Sequence, residues 1–412
     1  MPHPRLGPRP LPLHLGTALM TWASSESAWQ LWKRDSPSSK PASTAPDGIA
    51  EILKEVAARG GEGRFEDALH REIGRRMDRL AQGVVAYRNH PFERALETPP
   101  AAWREGNTRL LDYGHTYPAA RKRGARAVLV VPSLINRWEV LDLTAEKSLL
   151  RAMAAAGLRP YLVDWGTPDD AERRFDLSAY VERLERAVAY VGKRSRRAPA
   201  VMGYCMGGTL AVALTARRPR KVAGLALLAA PWDFHADKTG HAFLLSAGPM
   251  LAQMADRLGE LPVDVLQTLF WSLDPWLAMK KFGRFLGLDP DSEQAHEFVL
   301  LEDWLNDGAP LAGPTARDCL IGWYGDNLPG TGRWVVGGKT IVPRKITRPA
   351  LVMIPSGDRI VPPLSAAALV DPKRGLKNAT RVDLPLGHIG MVVSGRAREL
   401  CWTPLIDWLK AR

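Results

Sequence analysis

The sequence predicts an α/β fold with a mostly parallel, doubly wound sheet, and two observations carry this prediction. From about residue 110 onward, short runs rich in Val, Leu and Ala alternate with segments of helical periodicity, which indicates βαβ connections. The runs are almost continuously hydrophobic, as is typical of strands covered on both faces. The predicted strands span residues 126–136, 159–166, 199–205, 222–231, 349–358 and 379–388.

The chain before this domain, residues 1–110, is predicted to be a helical region. An apolar segment with three tryptophans is followed at 34–48 by a stretch rich in Ser, Pro and Ala, which indicates a linker. Apolar residues then recur every three or four positions from Phe65 to Val84, the spacing of an amphipathic helix. Its other faces carry four arginines, which are either solvated or meet an anionic surface: Arg71, Arg75, Arg76 and Arg79.

The α/β domain is predicted to span residues 111–412. The segment after Asp176 lies between the second and third predicted strands. It has one apolar stripe and is predicted to be a helix that packs on the sheet. The stripe consists of Leu177, Tyr180, Val181, Leu184, Val188 and Val191.

One connection, at about 232–345, is far longer than the others. Such a length is more typical of an inserted subdomain than of a loop, and we predict a lid that covers the carboxyl edge of the sheet, where ligands bind in these folds. The alternative is that its tryptophans form a core of their own. They are Trp232, Trp271, Trp276, Trp304, Trp323 and Trp334.

The composition restricts the partners and the compartment. A formal net charge of +12 favours anionic partners, but neither a zinc-ligand spacing nor a nucleic-acid-binding motif accompanies it, so we predict no nucleic-acid partner. Three widely separated cysteines provide neither a disulfide framework nor a metal-ligand pattern, which suits a reducing compartment. Prolines and His14 interrupt the short apolar stretch near the N-terminus, so we interpret it as part of a cytoplasmic protein and not as a secretory signal.

Residues 203–208 read Gly-Tyr-Cys-Met-Gly-Gly, between a predicted strand and a predicted helix. This arrangement is typical of a nucleophile elbow, a sharp turn that here would present Cys205. We expect Gly203 and Gly207 there because neighbouring chain passes too close for a side chain. The N-terminus of the following helix stabilises negative charge on the sulfur. The alternative is a buried structural cysteine beside a glycine-rich turn.

Two further residues complete a candidate catalytic triad. Asp358 and His388 each follow a late predicted strand, and the order Cys205, Asp358, His388 matches the nucleophile–acid–base order of α/β-hydrolases. We therefore predict an α/β-hydrolase fold with the lid inserted before the last two strands. In this prediction His388 is the general base and Asp358 holds its imidazole tautomer.

Several blocks of the sequence resemble the polyhydroxyalkanoate (poly-3-hydroxybutyrate) synthases, which polymerise hydroxyacyl-coenzyme A thioesters. The resemblance covers about residues 110–410 and is strongest for the short synthases that work with a second subunit. Its most specific element is the Gly-x-Cys-x-Gly-Gly box, since ordinary esterases have serine there. The blocks are VPSLINRWEVLDL (131–143), YLVDWGTPD (161–169), GYCMGGTLA (203–211), EDWLNDGAPLAG (302–313), GDRIVPP (357–363) and GHIGMVVSG (387–395).

The resemblance implies an acyltransferase that polymerises 3-hydroxyacyl-coenzyme A through a thioester on Cys205. The backbone N–H groups of Met206 and Leu134 would form the oxyanion hole. The implied partners are the growing polyester, a second copy in a homodimer, a second synthase subunit and the polyester granule surface. No metal and no cofactor is implied, because coenzyme A is part of the substrate and a product.

One residue departs from the family pattern, and two other functions stay open. Arg359 stands where the synthases commonly have histidine, and it is expected to strengthen the positive field on Asp358. A cysteine hydrolase, such as a polyhydroxyalkanoate depolymerase or a thioesterase, would use the same triad and admit water. A non-catalytic granule-associated subunit would leave the triad idle.

Overall fold

The computed structural model of the chain describes residues 4–34, 49–237 and 242–412, so the predicted linker at 34–48 falls, from residue 35 on, outside the described residues. In chain order, the described helices are α1 (Leu11–Arg34), α2 (Ile49–Ala58), α3 (Gly61–Arg88), α4 (Pro118–Arg121), α5 (Leu149–Ala155), α6 (Leu177–Ser195), α7 (Met206–Arg217), α8 (Ala242–Leu258), α9 (Val263–Trp271), α10 (Leu277–Phe285), α11 (Glu293–Asn306), α12 (Gly313–Arg317), α13 (Pro363–Ala367), α14 (Gly390–Val393) and α15 (Thr403–Lys410). The strands are β1 (Ala101–Glu105), β2 (Thr108–Asp112), β3 (Arg126–Val131), β4 (Leu158–Asp164), β5 (Ala200–Tyr204), β6 (Leu225–Leu228), β7 (Glu260–Leu261), β8 (Leu311–Ala312), β9 (Val335–Val336), β10 (Lys339–Thr340), β11 (Ala350–Pro355) and β12 (Ala379–Leu384).

The main sheet has eight strands in the order β1-β2-β4-β3-β5-β6-β11-β12. The six strands from β4 to β12 in this order are parallel, whereas β2 is antiparallel to both β1 and β4. Every residue of β5, β6 and β11 is buried, which is the physical reason for their continuous hydrophobicity. The predicted α/β fold with a mostly parallel sheet is confirmed, and each predicted strand is present.

The chain divides into two compact units that differ from the predicted boundaries. The smaller consists of Met1–Phe92 with Asp274–Asn306, and the larger of Glu93–Leu273 with Asp307–Arg412. A boundary near residue 110 is too late, because β1 pairs with β2 and β2 pairs with β4, which makes both strands part of the sheet. Part of the predicted lid segment belongs to the smaller unit, because α10 and α11 supply five of the nine buried residues in the core cluster described for that unit.

In the smaller unit, the predicted amphipathic helix lies within α3 and packs on α10. Tyr87 of α3 contacts Phe282 of α10 edge-on, with 5.6 Å between the ring centroids. Gly83 is required at this contact, since a Cβ there would collide with the backbone carbonyl of Phe282. On the exposed side, Glu72 pairs with two of the four arginines, which agrees with a solvated face at those positions.

In the larger unit, the apolar stripe predicted for α6 is buried at every position. The Asp176 side chain accepts a hydrogen bond from the Ala179 N–H at 2.8 Å and caps the N-terminus of this helix. Three tryptophans from the predicted lid segment are also buried here, and Trp334 contacts both Trp232 and Trp323 at ring-centroid distances of 6.0 and 5.3 Å. These three tryptophans therefore agree with the alternative interpretation of the segment, in which its tryptophans form a core.

Across the described part of the chain, every helix is either too short or too polar to span a bilayer.

Candidate active site

Cys205 occupies a strained turn between β5 and α7. Its backbone has φ 54° and ψ −131°, a conformation that side-chain-bearing residues rarely adopt. The turn is held on both sides, because the Cys205 N–H donates to the Leu228 carbonyl at 2.9 Å and its own carbonyl accepts from the Gly208 N–H at 2.8 Å. The side chain is partly exposed. The sequence prediction of a nucleophile elbow at this position agrees with this geometry.

The glycines of the elbow are needed because two chain segments approach it closely. A Cβ on Gly203 would lie 2.7 Å from the Gly207 carbonyl oxygen, inside van der Waals contact. A Cβ on Gly207 would collide with the carbonyl oxygens of Val131 and Pro132. The loop after β3 therefore lies directly against the first turn of α7.

Asp358 and His388 meet beyond the carboxyl ends of β11 and β12. The His388 Nδ1 lies 2.6 Å from the Asp358 Oδ2, and both side chains are buried. The other carboxylate oxygen of Asp358 accepts hydrogen bonds from the N–H groups of Ile360 and Val361, each at 2.8 Å. These bonds orient the carboxylate toward the imidazole. The side chain of the neighbouring residue, Arg359, is exposed.

The Cys205 sulfur completes the convergence, because it lies close enough to the His388 imidazole to raise the pKa of that ring. Burial alone would lower the pKa of His388. The charge of the Cys205 sulfur, the hydrogen bonds from Asp358 and Cys205, and the charge of Asp358 outweigh burial and raise this pKa to about 10. The structure therefore brings the three sequence-predicted side chains together and favours the imidazolium form of His388.

The two backbone groups predicted for the oxyanion hole are both available. Leu134 follows β3 in the loop that lies against α7, and Met206 is the first residue of α7. Among the described residues, neither N–H has a hydrogen-bond acceptor. An unsatisfied N–H at a helix N-terminus next to the nucleophile can donate a hydrogen bond to a developing oxyanion.

Tyr204 is a site residue to which the sequence analysis assigned no role. Its hydroxyl donates to the His388 backbone carbonyl at 3.1 Å, and the two rings lie 5.2 Å apart. The side chain is buried, and burial raises the pKa of its hydroxyl well above the ordinary value, so it remains a hydrogen-bond donor. The signal available in the sequence was its position directly before the nucleophile.

The other two cysteines lie in different environments. Cys319 and Cys401 are buried, and burial raises the pKa of Cys319 well above its ordinary value and that of Cys401 to about 12. Both are therefore protonated and poorly reactive at neutral pH. Of the three thiols, Cys205 is the one that is partly exposed and that raises the pKa of His388.

Comparison with known proteins confirms the predicted α/β-hydrolase fold. Residues 126–394 match the family described as alpha/beta hydrolase fold. The chain is 29% identical over 358 residues to the Poly(3-hydroxyalkanoate) polymerase subunit PhaC of Allochromatium vinosum, which covers 84% of this chain and 98% of that protein. It is 30% identical over 293 residues to the protein of the same name from Synechocystis sp., covering 69% of this chain and 78% of that one. For the Thiocystis violacea protein of this name the identity is 27%, over 83% of this chain and 99% of the relative.

Proposed function

The chain belongs to the α/β-hydrolase fold family and, within it, to the poly(3-hydroxyalkanoate) polymerases, and from this premise we propose that it polymerises 3-hydroxyacyl-coenzyme A into polyester. The observation that carries the proposal is the convergence at one site of the Cys205 sulfur, the His388 imidazole and the Asp358 carboxylate, of which the last two lie 2.6 Å apart (Nδ1 to Oδ2). This arrangement is suited to covalent acyl transfer by an activated thiol.

The first step loads the acyl group onto the enzyme. The Cys205 sulfur attacks the thioester carbonyl carbon of the acyl-coenzyme A, and the N–H groups of Met206 and Leu134 stabilise the oxyanion. The new carbon–sulfur bond to Cys205 forms as the bond to the coenzyme breaks. The His388 imidazolium gives its proton to the departing coenzyme A sulfur.

Acylation then changes the protonation preference of His388. The sulfur loses its negative charge when it becomes a thioester, so the contributions of Cys205 that raise the pKa of His388 disappear. The imidazole is then neutral and takes the proton of the 3-hydroxyl group of another hydroxyacyl unit. That oxygen attacks the thioester carbonyl, an ester bond forms, and Cys205 leaves as thiolate beside the imidazolium.

Cysteine is the appropriate nucleophile for this chemistry. Exchange of one thioester for another changes the energy little, so the acyl group stays activated for transfer to an alcohol. A serine ester would lose that activation. The competing acceptor is water, and we propose that the parts of the predicted lid segment that belong to the larger unit, residues 232–237, 242–273 and 307–345, act as an apolar lid that excludes it.

The proposal includes partners and a location. The chain acts as a homodimer with a second synthase subunit at the surface of polyester granules in the cytoplasm. It uses neither a metal nor a separate cofactor, since coenzyme A enters with the substrate. The formal charge of +12 favours the anionic coenzyme.

Incubation of the purified chain with 3-hydroxybutyryl-coenzyme A, alone and with candidate second subunits, tests the proposal. We expect coenzyme release together with insoluble polyester. Release with free 3-hydroxybutyrate would identify a hydrolase, and no release under any condition would identify a non-catalytic subunit; either result contradicts the proposal. Cys205→Ala should abolish release, whereas the matched control Cys319→Ala should retain it.

A further inference from the structure

The smaller unit contains a cavity of about 310 Å³ that no step of the proposed reaction uses. It lies between α1, α3 and α10, and we call it the α3–α10 cavity. Its volume is at the lower end of the range for small-molecule sites. Its walls combine apolar side chains with three cations, which are Arg76, Arg79 and Lys280.

Two of these cations are available to a ligand. Arg76 is bonded to Glu72 at 2.7 Å, and this carboxylate also pairs with Arg75. Arg79 donates its Nε to the Gly283 carbonyl at 3.0 Å, which holds the guanidinium at the cavity wall and leaves its two terminal amino groups unused by this bond. Within the described ranges, neither Arg79 nor Lys280 pairs with a carboxylate. The cavity therefore has an uncompensated positive side.

The apolar part of the cavity lining includes two indole rings, those of Trp22 and Trp276. The Trp276 indole N–H donates to the Thr21 hydroxyl at 3.2 Å, which restrains the ring, yet the residue is 50% exposed. A restrained and half-exposed indole presents a flat apolar face to solvent. Such a face is suited to stacking with a planar ring of a ligand.

We propose that the α3–α10 cavity binds an adenine nucleotide that bears adjacent phosphates. The purine stacks on the indoles, and the phosphates bind the guanidinium of Arg79 and the ammonium of Lys280. A ligand with phosphates alone would leave the aromatic wall unused, and an apolar ligand alone would leave the two cations unpaired. The inference does not depend on turnover at Cys205.

Titration calorimetry of the full chain with ADP tests the proposal. We expect saturable binding, and at least tenfold weaker binding of adenosine, which lacks the phosphates, and of pyrophosphate, which lacks the base. The Arg79→Ala/Lys280→Ala double variant should weaken ADP binding at least tenfold. A control double variant, Arg75→Ala/Arg284→Ala, removes cations from the same two helices outside the cavity and should bind as the unaltered chain does.

A second variant tests occupancy without changing charge. A Cβ on Gly283 would have a single neighbour within about 4 Å, the Arg79 Nε at 4.0 Å, so Gly283→Leu should place its side chain into free space and block ADP binding. Thermal unfolding midpoints close to that of the unaltered chain would show that these variants fold.

Three results would overturn the inference: no saturable ADP binding, equal binding by the cavity and control variants, or binding to phosphatidylglycerol vesicles through the same residues in place of ADP. Failure of the proposed reaction is a separate outcome. If the chain binds ADP but has no polymerase activity, this inference stands and the proposed function fails. If the chain is active but does not bind ADP, only this inference fails. Cys205→Ala should bind ADP unchanged.

Discussion

Replacement of Cys205 by alanine should lower the pKa of His388 from its value of about 10. Four contributions raise this pKa, and two of them, a charge and a hydrogen bond, come from the Cys205 side chain. The substitution removes both and leaves burial, which lowers the pKa, opposed by Asp358 alone. The imidazole should therefore be neutral over a pH range in which the unaltered enzyme holds an imidazolium.

The magnitude follows from the difference between the ordinary pKa of 6.5 and about 10. This difference corresponds to roughly 5 kcal/mol of interaction in favour of the imidazolium. Because the pKa in the folded state is the higher one, this contribution to the free energy of unfolding is complete below about pH 6.5 and is lost as the pH rises through about 10. In Cys205→Ala, the free energy of unfolding should fall by less over the same pH range.

Histidine NMR titration measures the effect directly. The His388 resonance can be assigned by its absence in His388→Gln, and its pKa compared between the unaltered chain, Cys205→Ala and the control Cys401→Ala. Cys401 is a buried thiol that makes no contribution to His388, so the control should keep a pKa of about 10. A pKa of about 10 in Cys205→Ala would refute the reasoning, as would equal lowering in the control.

Three further substitutions test single contacts of the site. Asp358→Asn removes the charge beside His388 and should slow acyl transfer by on the order of 10³–10⁴-fold with unchanged circular dichroism; a loss below tenfold would contradict a triad. Tyr204→Phe removes the hydrogen bond to the His388 carbonyl and should lower the urea-derived free energy of unfolding by about 1–2 kcal/mol; unchanged stability would mean that this bond contributes nothing. Gly207→Ala introduces a Cβ against the Val131 carbonyl and should cost about 1–3 kcal/mol or more in the same assay; a variant with native stability and activity would disprove the close approach.

Local patterns in the chain were enough to predict the central fold. A parallel strand covered on both faces must be apolar at every position, so β5, β6 and β11 could be identified from short windows of sequence. The same holds for α6, whose buried stripe follows from the helical repeat. The elbow could be predicted because the chain around Cys205 is too close-packed for side chains at the neighbouring glycine positions.

Other features depend on contacts between distant parts of the chain, and local patterns do not encode these. β1 and β2 are short strands with mixed burial, and they belong to the sheet only because β2 pairs with β4 and β1 pairs with β2. Residues 274–306 were predicted within a lid, but the fit of Phe282 against Gly83 and Tyr87 assigns them to the smaller unit.

For the site, the sequence by itself determined which side chains are present and in what order: a thiol on a glycine turn, then a carboxylate, then an imidazole. Only the tertiary structure decided that the His388 Nδ1 lies 2.6 Å from the Asp358 Oδ2 and that the Tyr204 hydroxyl donates to the His388 carbonyl. It also decided that the pKa of His388 is raised. The physical reason is that burial, charge and hydrogen bonding act through space over a few ångströms, between residues that the chain separates by as many as 184 positions.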